Sequence, residues 1–134
     1  MKSGENVLLT ETHIRFMSTT ISFQYINLEY LETMTGGDAE MMNQMIQMLV
    51  DEIPSEIVKM QACVATKDWE DIFQLSHKLK TTLAFIGNEE INSLNKTIEH
   101  CSRNRIDINE IPQMIEQLSE LSEPILKELK IAKY

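Results

Sequence analysis

The chain has 134 residues, of which 43% are apolar and 25% are charged, as is ordinary for one globular domain with its own core. Its formal net charge of −9 disfavours nonspecific binding to nucleic acid or to an anionic membrane. Two cysteines, Cys63 and Cys101, are too few for a secreted disulfide framework. No apolar run approaches the roughly 20 residues of a membrane span, and the N-terminus lacks the pattern of a signal peptide. We therefore expect a cytoplasmic protein that binds neither nucleic acid nor membrane.

The first residues of the chain have the least regular pattern. The stretch IRFMSTTISF, residues 14–23, is rich in β-branched residues, but no other segment offers a partner strand. We assign residues 1–24 to an N-terminal extension of uncertain structure and residues 25–134 to the folded domain.

The helical period begins at Ile26. INLEYLETM predicts a short helix, which TGGD ends, and Asp38 is suited to cap the helix that follows. Apolar residues then recur at spacings of three and four, which predicts one long amphipathic helix over roughly 39–66. Pro54 lies inside this helix and predicts a kink or a break. The apolar positions are Met42, Met45, Ile46, Leu49, Ile53, Ile57, Met60 and Val64.

A third helix should begin after Asp68, which is suited to be its N-cap, and end at Gly87. Asn88 can cap a fourth helix, after which SRNRIDIN, residues 102–109, is predicted to be a loop. The apolar stripe of the third helix is Ile72, Leu75, Leu79, Leu83 and Ile86, and that of the fourth is Ile91, Leu94, Ile98 and Cys101.

The last helix is predicted over about residues 109–130, with Pro112 in its first turn and a bend at Pro124. Four long amphipathic helices joined by short polar loops pack as a bundle. The predicted fold is therefore all-α, an antiparallel four-helix bundle with a short extra N-terminal helix.

His77 should face away from the core of this bundle. A helix advances about 100° per residue, so His77 falls opposite the centre of the apolar stripe of its helix. Lys80, three residues on, is close enough for its ammonium to reach a group attached to the imidazole. Phe73, Thr81 and Ala84 lie on the same side and suggest a docking surface for a partner, to which we add Lys78.

These residue types suit phosphoryl transfer. A neutral imidazole nitrogen is a competent nucleophile near neutral pH, and a phosphorylated imidazole holds its phosphoryl group in a bond from which it can be passed on. A positioned ammonium offsets the charge on the phosphoryl oxygens. An incidental histidine on a solvated helix face remains the alternative from geometry alone.

The constellation resembles the histidine-containing phosphotransfer (HPt) domain of two-component phosphorelays. His77, Lys80 and Gly87 stand where that family has histidine, lysine and glycine, and Leu79 and Ile86 match its apolar positions. The resemblance covers about residues 26–130. It includes the segment TGGDAE, the proline of DEIPSEI within the long helix, and the segment KDW before the third helix. It also includes the apolar positions Leu94, Ile98 and Cys101 of the fourth helix.

The resemblance implies that His77 accepts a phosphoryl group from a receiver-domain aspartate and that Lys80 stabilises its charge. The implied partners are the receiver domains of a hybrid histidine kinase and of a response regulator. The chain would act as a monomer without a cofactor or an ATP site of its own, and Mg²⁺ would come with the receiver. One departure is Thr81, because the family usually has glycine directly after the lysine.

Other classes of function fit less well. A phosphate-independent helical adaptor that binds a receiver or a kinase is the main alternative, and Thr81 is its only direct support. A metalloenzyme is disfavoured because His13, His77 and His100 form no HxxxH or ExxH motif. A kinase would need a glycine-rich phosphate loop, and a hydrolase would need more than Ser76 beside His77, since neighbours in sequence do not share a helix face.

Overall fold

The computed structural model describes residues 22–134, which form five α-helices and one 3₁₀ turn. No strand occurs in this part of the chain, so the all-α prediction is confirmed. Of the predicted N-terminal extension, only residues 22–24 lie within the described residues. The elements are α1 (Glu29–Thr35), α2 (Ala39–Ala65), α3 (Trp69–Ala84), α4 (Glu89–Asn104), the 3₁₀ turn (Ile108–Glu110) and α5 (Ile111–Ile131).

Polar side chains cap three of the long helices where the sequence predicts. Asp38 accepts a hydrogen bond from the backbone N–H of Met41, and Asp68 accepts one from Asp71. Asn88 caps α4 in the same way. Each cap satisfies an N–H that has no partner inside its helix.

The helices α2 to α5 form a four-helix bundle. The main contacts join α2 to α3, α3 to α4, α4 to α5 and α5 back to α2. Therefore α3 and α5 occupy opposite corners of the bundle. The core between them consists of the apolar stripes of all four helices, and its largest fully buried side chains include Leu49, Ile53, Met60, Ile72, Leu79, Leu83, Ile91, Ile98 and Ile111.

Helix α2 is the single long helix that the sequence predicts. Of the kink or break predicted at Pro54, the break does not occur, since a proline inside a long helix removes a single backbone hydrogen bond that packing on both sides offsets. Helix α4 continues to Asn104, so the predicted loop at residues 102–109 was wrong in its first part. Ser102 is buried and its hydroxyl donates to the carbonyl of Ile98, and the helix ends where Arg105 adopts a left-handed conformation.

Hydrogen bonds hold residues 24–27, which precede α1, against one end of the bundle. The Glu128 carboxylate of α5 accepts hydrogen bonds from the backbone N–H groups of Gln24, Tyr25 and Ile26 at 2.8–3.1 Å. The backbone N–H of Asn27 donates to the carbonyl of Ile86 at 2.8 Å. These bonds place the segment against the loop that joins α3 to α4.

Gly87 is required by this contact. Its φ is +70°, and an added Cβ would lie 2.7 Å from the backbone oxygen of Asn27.

We expect Gly87→Ala to lower the free energy of unfolding by at least about 1–2 kcal/mol, since left-handed backbone is costly for alanine and the clash is with main chain rather than with a flexible side chain. Urea denaturation of the two proteins measures this difference. A matched variant, Gly37→Ala, has φ +78° and no atom within 4 Å of the added Cβ, so it should cost less; equal losses would contradict the role of the Asn27 contact.

Candidate functional site

His77 lies in the middle of α3 and faces outward. Its side chain is 58% exposed, while the preceding Ser76 and the apolar residues Ile72, Leu79 and Leu83 of the same helix are buried. The predicted outward position of His77 is therefore confirmed. Ser76 and His77 point in different directions, as expected for neighbours in a helix.

Glu99 of α4 holds the imidazole. His77 Nδ1 lies 2.6 Å from Oε2 of Glu99, whose side chain is 14% exposed. A carboxylate can only accept, so Nδ1 carries the hydrogen, and the lone pair of the neutral ring is on Nε2. This hydrogen bond from His77 holds the pKa of Glu99 below its ordinary value; partial burial opposes the shift, and the ammonium of Lys80 adds to it.

Lys80 belongs to the same constellation. Its ammonium lies 3.5 Å from both carboxylate oxygens of Glu99, a distance at the limit of a hydrogen bond. The exposed side chain can leave this weak contact at little cost, since exposed ion pairs contribute at most about 1 kcal/mol. Lys80 can therefore turn to an anion that approaches the imidazole.

A buried polar pair fixes the register between α3 and α4 next to His77. The hydroxyl of Ser76 donates to the side-chain oxygen of Asn95, and the Asn95 amide donates back to the carbonyl of Ser76. Both residues are almost fully buried. Asn95 lies one helical turn before Glu99, so this pair sets the carboxylate opposite the imidazole.

Phe73 and Arg103 flank the imidazole on one side. The ring centroids of Phe73 and His77 are 5.8 Å apart, and the guanidinium carbon of Arg103 lies 5.7 Å from the centroid of Phe73. Both distances are in the range of aromatic and cation–π contacts. Phe73 is half-buried rather than exposed, because Arg103 reaches across from α4 to cover it.

His100 makes a useful contrast with His77. The side-chain amide of Asn104 donates to the backbone carbonyl of His100, which orients the amide, and the same nitrogen lies 3.1 Å from His100 Nδ1. In the neutral ring Nδ1 is then the acceptor and Nε2 carries the hydrogen. Of these two rings, only His77 presents its lone pair on the outer nitrogen.

Comparison with known families agrees with this geometry. The family model described as the Hpt domain matches residues 44–124, more than half of the chain. The chain belongs to the Hpt domain family. The searches of curated proteins and of solved structures gave no match. Membership places this Hpt domain in histidine phosphotransfer of two-component signalling.

The predicted docking residues of this Hpt domain divide between two sides of α3. Thr81 and Ala84 are exposed, as the helical period predicts for positions four and seven residues after His77. Lys78 instead extends toward α2, where its ammonium lies 3.5 Å from the buried carboxylate of Glu56. A surface centred on His77 therefore has Lys78 at its α2 edge.

Sequence reasoning missed Glu99 and Arg103, the two α4 residues that contact His77 and Phe73. The available signal was a row of polar residues at spacings of three and four along α4, which predicts one face of a helix. That row does not show which of its members meets the imidazole, since this depends on how α4 is aligned with α3.

None of the helices in residues 22–134 is long and apolar enough to cross a membrane. Within the same residues, no group of three histidine, cysteine, aspartate or glutamate side chains is arranged to hold a metal ion.

Because the pKa of Glu99 is lowered, the stability that its carboxylate contributes to the fold should depend on pH. A carboxyl group with a depressed pKa stabilises the fold above its unfolded value of 4.5, and this contribution is lost as the pH falls through the folded value. We expect the advantage of the native protein over Glu99→Gln to shrink as the pH falls below about 4.5. Melting temperatures of both proteins at neutral pH and at successively lower pH measure it, and a constant difference would show that the Glu99 charge is not coupled to folding.

Proposed function

We propose that this Hpt domain accepts a phosphoryl group on Nε2 of His77 from the phospho-aspartate of a receiver domain, and passes it to the aspartate of a response regulator. The observation that carries the proposal is the exposed imidazole whose Nδ1–H is held by Glu99, since this leaves a nucleophilic lone pair directed outward. Family membership supports the reaction class.

In the forward step the Nε2 lone pair attacks phosphorus, the N–P bond forms, and the bond from phosphorus to the aspartyl oxygen breaks. The aspartate carboxylate leaves with the bonding electrons. The ring keeps its hydrogen on Nδ1 and becomes positively charged, and the Glu99 carboxylate stabilises this charge at short range. Transfer to the second receiver reverses these bond changes.

The receiver partner supplies the reacting groups that the exposed His77 site does not itself contain. A receiver brings the reacting aspartate and, as we expect, the Mg²⁺ that offsets charge on the phosphoryl oxygens. Lys80 adds an ammonium from this chain to the same oxygens. The domain then works as a phosphoryl carrier rather than as an enzyme with its own ATP site, and as a monomer in the cytoplasm.

The deciding experiment is phosphoryl transfer from a panel of phosphorylated receiver domains to the native protein. The label should be acid-labile and base-stable, as an N–P bond requires. Receiver binding without uptake of label from any member of the panel would favour the alternative, a phosphate-independent adaptor, for which Thr81 at the usual glycine position is the sequence support.

Lys80→Ala should slow transfer while leaving stability nearly unchanged. Its exposed ammonium makes only a weak ion pair, but loss of a charge next to the phosphoryl group is expected to lower the rate about tenfold. Single-turnover transfer from a labelled receiver measures the rate, and thermal melting measures stability. Lys127→Ala on α5, at the opposite corner of the bundle, is the matched control, and equal rates for the two variants would show that Lys80 only adds to solubility.

A further inference from the structure

Beside His77 the surface carries a hollow of about 320 Å³ between α3 and α4, which we call the basic hollow. Its cationic side chains come from both helices, and its one carboxylate, Glu99, is already held by His77 and Lys80. The residues that line it are Lys80, Lys96, Glu99, His100, Arg103 and Asn104.

Two of the cations have no carboxylate partner there. Among residues 22–134, no carboxylate oxygen lies within 4.0 Å of the charged groups of Lys96 or Arg103. Lys96 is exposed, so its ammonium is open to a carboxylate of a partner, and Arg103 packs over the ring of Phe73. The tautomer that Asn104 selects in His100 also gives this ring an N–H donor on Nε2.

The sign of this charge indicates what the hollow binds. A surface with an excess of cations and N–H donors attracts carboxylates and repels basic groups. The hollow shares Lys80 and Glu99 with the imidazole site, so a protein that docks on His77 must lie over it. In the proposed function that protein is a receiver, whose phosphorylation site is acidic because Mg²⁺ is bound by carboxylates.

We propose that the basic hollow binds an acidic side chain, aspartate or glutamate, on the surface of the receiver domain that docks over His77. The inference rests on the proposed function and adds the chemistry by which the receiver is oriented. Lys96 and Arg103 are then docking residues that attract and align the partner, while His77 reacts. Such contacts act mainly on association and weaken as salt screens them.

The test compares Lys96→Glu with Lys127→Glu, two charge reversals at exposed lysines on different helices. Binding of a receiver domain is measured by calorimetry on a His77→Gln background, so that no transfer is involved. We expect Lys96→Glu to raise the Kd about tenfold at roughly 50 mM salt and by a smaller factor at roughly 300 mM. Lys127→Glu should stay within about twofold of the parent.

A charge reversal on the partner identifies the ligand chemistry. One acidic residue near the receiver's phosphorylation site, changed to lysine, should restore most of the affinity lost by Lys96→Glu, as coupled pairs do in a double-mutant cycle. Equal Kd values for the two lysine variants, or the absence of any restoring acidic position, would overturn the proposal. The carrier function and the docking site can be refuted separately, because labelling is measured on the native protein and binding on the His77→Gln background. If binding depends on Lys96 but the native protein takes no label, the carrier function is refuted and the docking site stands. If no receiver binds, both are refuted.

Discussion

His77→Gln is expected to abolish phosphoryl acceptance and leave the fold intact. The side chain is largely exposed and packs on no core residue, so its replacement costs little stability. Glutamine has no nucleophilic nitrogen, so the loss of transfer should exceed about a thousandfold. Incubation with a labelled phospho-receiver measures acceptance, and circular dichroism with thermal melting verifies the fold.

His100→Gln is the matched control for this experiment. His100 is also exposed, but Asn104 occupies its Nδ1 and its Nε2 carries the hydrogen. We expect this variant to take up the same final amount of label as the native protein, because His100 lines the basic hollow and its loss acts on docking of the receiver rather than on the acceptor nitrogen. Label that persists in His77→Gln and disappears in His100→Gln would show that the acceptor was assigned to the wrong ring.

Glu99→Ala should lower the transfer rate about tenfold to a hundredfold. The variant removes the acceptor of the Nδ1–H bond, so the imidazole loses both its fixed orientation and its fixed tautomer. The positive charge that forms on the phosphorylated ring also loses its counter-charge. Single-turnover rates at saturating receiver separate this effect from docking.

Glu99→Gln distinguishes orientation from charge. The amide oxygen can still accept from Nδ1, so this variant should recover part of the lost rate, and nitrogen NMR of the His77 ring should show hydrogen on Nδ1 in the native protein and in Glu99→Gln but a mixture in Glu99→Ala. Native rates in both variants, with the tautomer unchanged, would show that Glu99 only packs against the ring.

Much of this protein follows from local sequence alone. The caps at Asp38, Asp68 and Asn88 act within three residues of themselves, and the apolar period of each helix lies within a few turns. The outward position of His77 is also local, because the apolar stripe of α3 fixes which side of that helix faces the core. The sequence therefore determined the number of long helices, most of their limits and the acceptor candidate.

The tertiary structure decided what surrounds that acceptor. Glu99 lies 22 residues from His77 along the chain, and only the register between α3 and α4, fixed by the buried Ser76 and Asn95 pair, brings the two together. The same packing places Arg103 over Phe73. Contacts between helices depend on the crossing and sliding of whole elements, which core packing determines, whereas helix periodicity reports only which face of each element is buried.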